Sequence, residues 1–173
     1  MMIPESIAKD IAQEAIRWDE AQALSMADFL KRFTLHDSNW LGLHADTAWD
    51  GDVTAIISFD PIWNKTGTLA TSRCPEWPVL LIRFPGVSSV TLANYKDIGG
   101  VQRGIGSAET ETMSEGTVVT IIGDHYGGEV TITHRDPIKV LCFASTGERL
   151  TLDAEQQGGG YSPPAARSAQ PTP

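Results

Sequence analysis

The feature that most constrains this chain is a change of period at Thr34. Before it, apolar residues recur every three or four positions; after it they alternate, and β-branched and aromatic residues take over. Side chains repeat every 3.6 residues on a helix and every 2 on a strand, so the chain opens helical and turns to sheet. Ile3, Ile7, Ile11, Ala15, Trp18 and Ala21 lie on one stripe, which predicts a helix over 4–21 with Pro4 in its first turn. Ser25 followed by Asp28 matches a capping box, and Met26, Phe29, Leu30 and Phe33 supply the apolar face of a second helix ending near Phe33.

Beyond Thr34 the alternation predicts about eight strands, over 40–46, 53–60, 79–84, 89–94, 118–124, 129–135, 138–144 and 149–153. The stretches "WDGD", "FPGV", "HYGG", "RDP" and "STGE" join them with the chemistry of tight turns. No helical pattern intervenes, which argues against parallel βαβ units and for a mostly antiparallel meander, as a sandwich or partial barrel. The expected fold is therefore α+β: a single domain over 1–155, with helices in 4–33 and sheet in 39–153. Residues 61–78 and 95–117 read as long loops, and 156–173, "QQGGGYSPPAARSAQPTP", reads as a disordered tail.

The 173 residues, 41% apolar and 20% charged, suit one globular core. A net charge of −9 disfavours nucleic acid and anionic membranes and favours basic partners. The acidity is uneven: residues 1–60 carry eleven acids against four bases, and residues 61–100 two against four. Cys74 and Cys142 are far apart with no CxxC spacing, and the opening "MMIPESIAKDIAQE" lacks the regions of a signal peptide. With no apolar run long enough to span a bilayer, a cytoplasmic location with free thiols is expected, and "NKT" at Asn64 is a chance match to a glycosylation acceptor.

The chemistry concentrates in "FTLHDSNWLGLHAD", residues 33–46. His36, Asp37, His44 and Asp46 are residue types that a hydrolase or a carbohydrate-acting enzyme uses, and histidine with carboxylate also binds metals. Their spacing matches no HExxH, facial triad or GxSxG pattern, so neither a metal nor a cofactor is expected. Consecutive side chains in extended backbone point apart, so His36 and Asp37 are not expected to orient each other. The alternative role for Leu35, His36 and Asp37 is structural, satisfying backbone groups in a turn between helix and sheet. The glycine loop "DIGGVQRGIG" reads as a flexible hairpin, His125 as a turn residue, and His134 as a surface residue at a strand end beside Arg135 and Asp136.

Trp49, Trp63 and Trp77 fall in loops near Asp46, Asp50 and Asp52, whereas Trp18 and Trp40 fit core positions. Aromatics among carboxylates can cradle a sugar or anchor a protein partner. The segments "FTLHDSNWLGLHAD", "VTAIISFD", "LLIRFPGVSSVTL" and "GGEVTITHRDPIKVLCF" resemble small bacterial β domains that open with a helix, an "LHD" turn and a strand. Among these are immunity proteins of polymorphic toxin systems, particularly the family called immunity protein 50. The resemblance covers about Phe33 to Leu152, with Leu35, His36 and Asp37 on the turn. It implies a non-enzymatic antidote that binds a toxin, with no catalytic residues to carry over. The expectation is thus a cytoplasmic protein-binding domain whose partner surface comprises Asp46, Trp49, Asp50, Asp52, Trp63 and Trp77. The enzyme using His36, Asp37, His44 and Asp46 is the alternative, and a subunit that dimerises along an edge strand is a third.

Overall fold

A computed structural model describes residues 3–46, 51–61, 64, 77–94 and 103–152, with the side chain of Arg103 excepted. Helix α1 is Glu5–Ala12 and α2 is Met26–Arg32. Among the described residues there are ten strands, the first lying between the two helices: β1 Gln22–Leu24, β2 Asn39–Ala45, β3 Val53–Ser58, β4 Val79–Phe84, β5 Ser89–Ala93, β6 Arg103–Thr112, β7 Thr117–Asp124, β8 Glu129–Arg135, β9 Ile138–Phe143 and β10 Arg149–Leu150. They form one sheet in the order β1-β9-β4-β3-β2-β6-β7-β8-β5, with β10 also on β9, and all pairs are antiparallel.

The expected α+β class and antiparallel sheet are present, but the order is not one meander. β2-β3-β4 and β6-β7-β8 are each meanders; β5 and β9 leave the local order, β5 to the edge beyond β8 and β9 to the far side of β4. Hydrophobic alternation reports which face a side chain takes and is silent about which strand lies beside it.

Burial divides the sheet into two kinds of strand. Over residues 117–122 and 129–134, β7 and β8 alternate between half-buried and buried residues, as one-sided strands do. β3 is buried throughout and β4 at every position but Arg83, because both faces are covered. On one face Ala55, Ile57, Leu80, Ile82, Phe84, Val140 and Cys142 join Met26, Phe29 and Phe33 of the α2 segment and Ile122, Val130 and Ile132 of the far half in one cluster. On the other, Ile56, Val79, Leu81 and Leu141 meet Ile7 and Ile11 of α1. The unbroken run "VLLI" in β4 is the sequence form of that two-sided burial.

The first helix is shorter than the stripe implies. After Ala12 the chain reverses through Glu14 at φ 53°, with Ala15 N–H donating to Asp10 C=O in a Schellman-type end. Ile16, Trp18 and Ala21 still pack against the α1 cluster, but from a reversed segment rather than from the helix. The second helix follows expectation: Ser25 Oγ accepts from Asp28 N–H at 3.0 Å, and Asp136 Oδ1 accepts from Met26 N–H.

β6 occupies residues read as loop. Its sequence "RGIGSAETET" offers little apolar alternation, and a register shift between Ile105 and Ser107 breaks the period further. The expected tail, 156–173, lies outside the described residues.

His134 corrects another expectation. It is buried, with its ring edge-on to Phe84 at 4.8 Å. The Arg135 carbonyl can only accept, so Nδ1 donates to it at 2.8 Å and Nε2 accepts from the Thr120 hydroxyl at 2.8 Å. Asn64 is likewise buried, with its amide spent on Thr34 and Asp60, which leaves no nitrogen for a glycan in the folded chain.

Two outcomes follow. Phe29→Ala should cost about 3–5 kcal/mol in denaturant unfolding, while Leu92→Ala, on the exposed strand β5, should stay within about 0.5 kcal/mol. Burial holds His134 below the ordinary imidazole value of 6.5, so the unfolded chain takes up a proton that the folded ring refuses. Stability should fall as pH drops below about 6.5, and His134→Gln should remove that part of the slope in urea midpoints measured across the range.

Candidate functional site

The four polar residues of the 33–46 stretch separate into two sites at opposite ends of β2. The five steps from Asn39 to His44, at roughly 3.3 Å each, set them about 17 Å apart along the strand. No single centre contains His36, Asp37, His44 and Asp46.

At the leading end, Asp37 takes φ 62°, a left-handed turn in which aspartate is among the better-tolerated residues. That turn brings the neighbouring side chains together, so His36 Nδ1 lies 3.1 Å from Asp37 Oδ2. The expectation that they could not orient each other assumed extended backbone. The other carboxylate oxygen meets His125 Nε2 at 3.3 Å, and the two imidazoles stand edge to face at 5.5 Å. Gly104 and Gly106 make this possible: a Cβ on either would lie 2.9 or 3.0 Å from the His125 ring. The glycines read as a flexible loop are, in β6, the flat seat of a histidine. The turn is also stitched to β6 by Asp37 N–H to Ile105 C=O and Ile105 N–H to Ser38 C=O. His36 borders a cavity of about 220 Å³ that Ser107 and Leu30 also line.

At the trailing end, strand register lines up His44, Thr54 and Arg83 in one row across β2, β3 and β4. Arg83 is the one charge in "VLLIRF", on the face that α1 covers. Its guanidinium reaches Asp46 at 2.7 Å and Asp52 at 2.6 Å, and lies over the Trp18 ring at 5.5 Å. Asp52 also accepts from Gly86 N–H at 3.0 Å, so the hairpin carrying both carboxylates is tied to the turn after β4. All three side chains are 13–17% exposed. Burial pushes the Asp46 carboxyl above the ordinary carboxylate value, against the pull of Arg83 and His44. His44 Nε2 is buried without a hydrogen-bond partner, with Asp46 Oδ1 3.8 Å away. Ile11, Glu14, Ile16 and Trp18 close a cavity of about 160 Å³ over this row.

Of the expected partner surface, Asp46 and Asp52 are thus brought together on Arg83, and Trp77 is half-buried just before β4. Trp49, Asp50 and Trp63 lie outside the described residues, as does Cys74. Arg83 and His125 went unmarked in the sequence as site residues. The signal for Arg83 was available, since a charge inside an apolar strand run demands a buried partner. The Cys142 thiol, pushed up to about 12 by burial, is no nucleophile at neutral pH. Among the described residues, no three His, Cys, Asp or Glu side chains are arranged to hold a metal ion, and no helix is long and apolar enough to cross a membrane.

Arg83→Leu should destabilise the fold by about 3 kcal/mol, because it strands two mostly buried carboxylates. The raised Asp46 value has the opposite sign from the usual carboxylate case. Above 3.8 the unfolded chain has released a proton that folded Asp46 still holds, so its contribution to stability falls as pH rises through that window. Asp46→Asn should flatten this part of the stability curve in urea titrations from about pH 3 to about pH 6.

Comparison of the chain with protein-family models, with curated proteins and with solved structures returned no match.

Proposed function

We propose that the chain is a non-enzymatic protein-binding domain of the bacterial cytoplasm that neutralises a basic toxin, in the manner of an immunity protein. The observation that carries the reading against catalysis is the division of the polar stretch. His36 with Asp37 and His44 with Asp46 stand at opposite ends of β2, and each pair is turned onto a partner within the protein, His125 or Arg83. The net charge of −9, concentrated in residues 1–60, favours a basic partner through electrostatic steering. The contact surface on this reading is drawn from Asp46, Trp49, Asp50, Asp52, Trp63 and Trp77, within which Asp46 and Asp52, mostly buried on Arg83, fix the ends of the connection between β2 and β3. The shared apolar cluster lining both halves supports reading the sheet as folded over itself, as a sandwich or partial barrel.

A hydrolase remains the second reading, on one observation: the His36 imidazole is held by a carboxylate beside a cavity that Ser107 also lines. One experiment separates the two. Co-expression with a toxin encoded beside the gene should restore growth, and His36→Ala and Ser107→Ala should protect as well as the parent. Equal survival with and without the gene would sink the antidote reading; protection lost in both variants, with the fold intact by circular dichroism, would favour the enzyme.

A further inference from the structure

Among the described residues β5 is the last strand of the sheet, paired with β8 on one side only. In register, Val90 stands opposite Ile132 and Leu92 opposite Val130. Directly opposed residues share a face, so Val90 and Leu92 continue the face on which Ile132 and Val130 are core. Yet they are 40% and 57% exposed. Sheets blunt such edges with lysine, proline or bulges. β5, "SVTLA", has none of these, its pairing with β8 runs without a register shift, and residues 85–94 carry no charge at all.

We propose that β5 is a self-association edge, on which a second copy of this chain pairs antiparallel about a two-fold axis at Thr91. The geometry is self-complementary. Thr91 meets Thr91 of the second copy, and Val90 meets Leu92 of the second copy twice, on the same face. Four apolar side chains, each half exposed in the single chain, then cover one another across the seam. The absence of charge matters because each chain carries −9. Two copies repel as wholes, and a neutral ten-residue stretch is a place where they meet without like charges opposed. A seam of five residues buries less than the roughly 1,200–2,000 Å² of a standard stable interface, so the dimer is weak and concentration-dependent.

Sedimentation velocity of the full chain over a range of concentrations tests this. The weight-average mass should climb from 18.7 kDa toward about twice that, with the rise strengthened by salt, which screens the overall repulsion. Leu92→Lys brings two ammonium groups to the seam and should hold the mass at 18.7 kDa while leaving the thermal midpoint unchanged. Met113→Lys, an equally polar change at a 50% exposed residue away from β5, should dimerise like the parent. A mass of 18.7 kDa at every concentration overturns the proposal and leaves the edge to a strand of other sequence. Dimerisation unaffected by Leu92→Lys overturns it equally, by placing the contact elsewhere.

Discussion

The structure depends on β2 being shared. Its strand pairs β3 along most of its length and β6 at only two positions, Asn39 with Gly104 and Trp40 with the Arg103 backbone. The two backbone bonds that Ile105 makes to Asp37 and Ser38 prolong that short ladder into the preceding turn. A register shift between Trp40 and Gly42 lets the strand serve both neighbours: Trp40 and Leu43 face the shared core, and Leu41 faces α1. Everything polar in the 33–46 stretch sits at one end or the other of this joint.

The two ends solve different problems. At the trailing end, strands buried on both faces leave little water for a charge, so Arg83 takes two carboxylates and an indole as its surroundings. That arrangement closes the hairpin onto β4. At the leading end, the turn is half exposed and the side chains are less tightly committed. A carboxylate bridging two imidazoles there ties the turn to the β7–β8 connection, and two glycines in β6 give the second imidazole its place.

Local pattern carried most of the strand positions: the structure has Val79–Phe84 and Glu129–Arg135 where alternation put them. Features resting on non-local partners were hidden. β6 lacks an apolar period because it is rich in Gly, Glu and Thr and has a shifted register, and the place of β9 beside β4 depends on pairing across some sixty residues of chain. In the site, Asp46 and Asp52 were legible as the acids of a hairpin, but their cation lies on another strand, and sequence spacing does not reveal cross-strand register. The His36–Asp37 contact was hidden by one dihedral, the positive φ of Asp37. His134 looked like a surface residue because it adjoins Arg135 and Asp136, yet strand alternation puts it inside with Val130 and Ile132.

On this account the polar stretch is the joint of the sheet, tying β2 to β6 at one end and to β4 at the other. Native-state hydrogen exchange at the amides of Asp37 and Ile105 tests it most directly. If the joint holds the halves as one cooperative unit, these amides exchange only through global unfolding, with the same free energy as amides in β3 and β4. Exchange through a low-energy local opening, while β3 and β4 stay protected, would show that the halves part at β2 and would contradict the account.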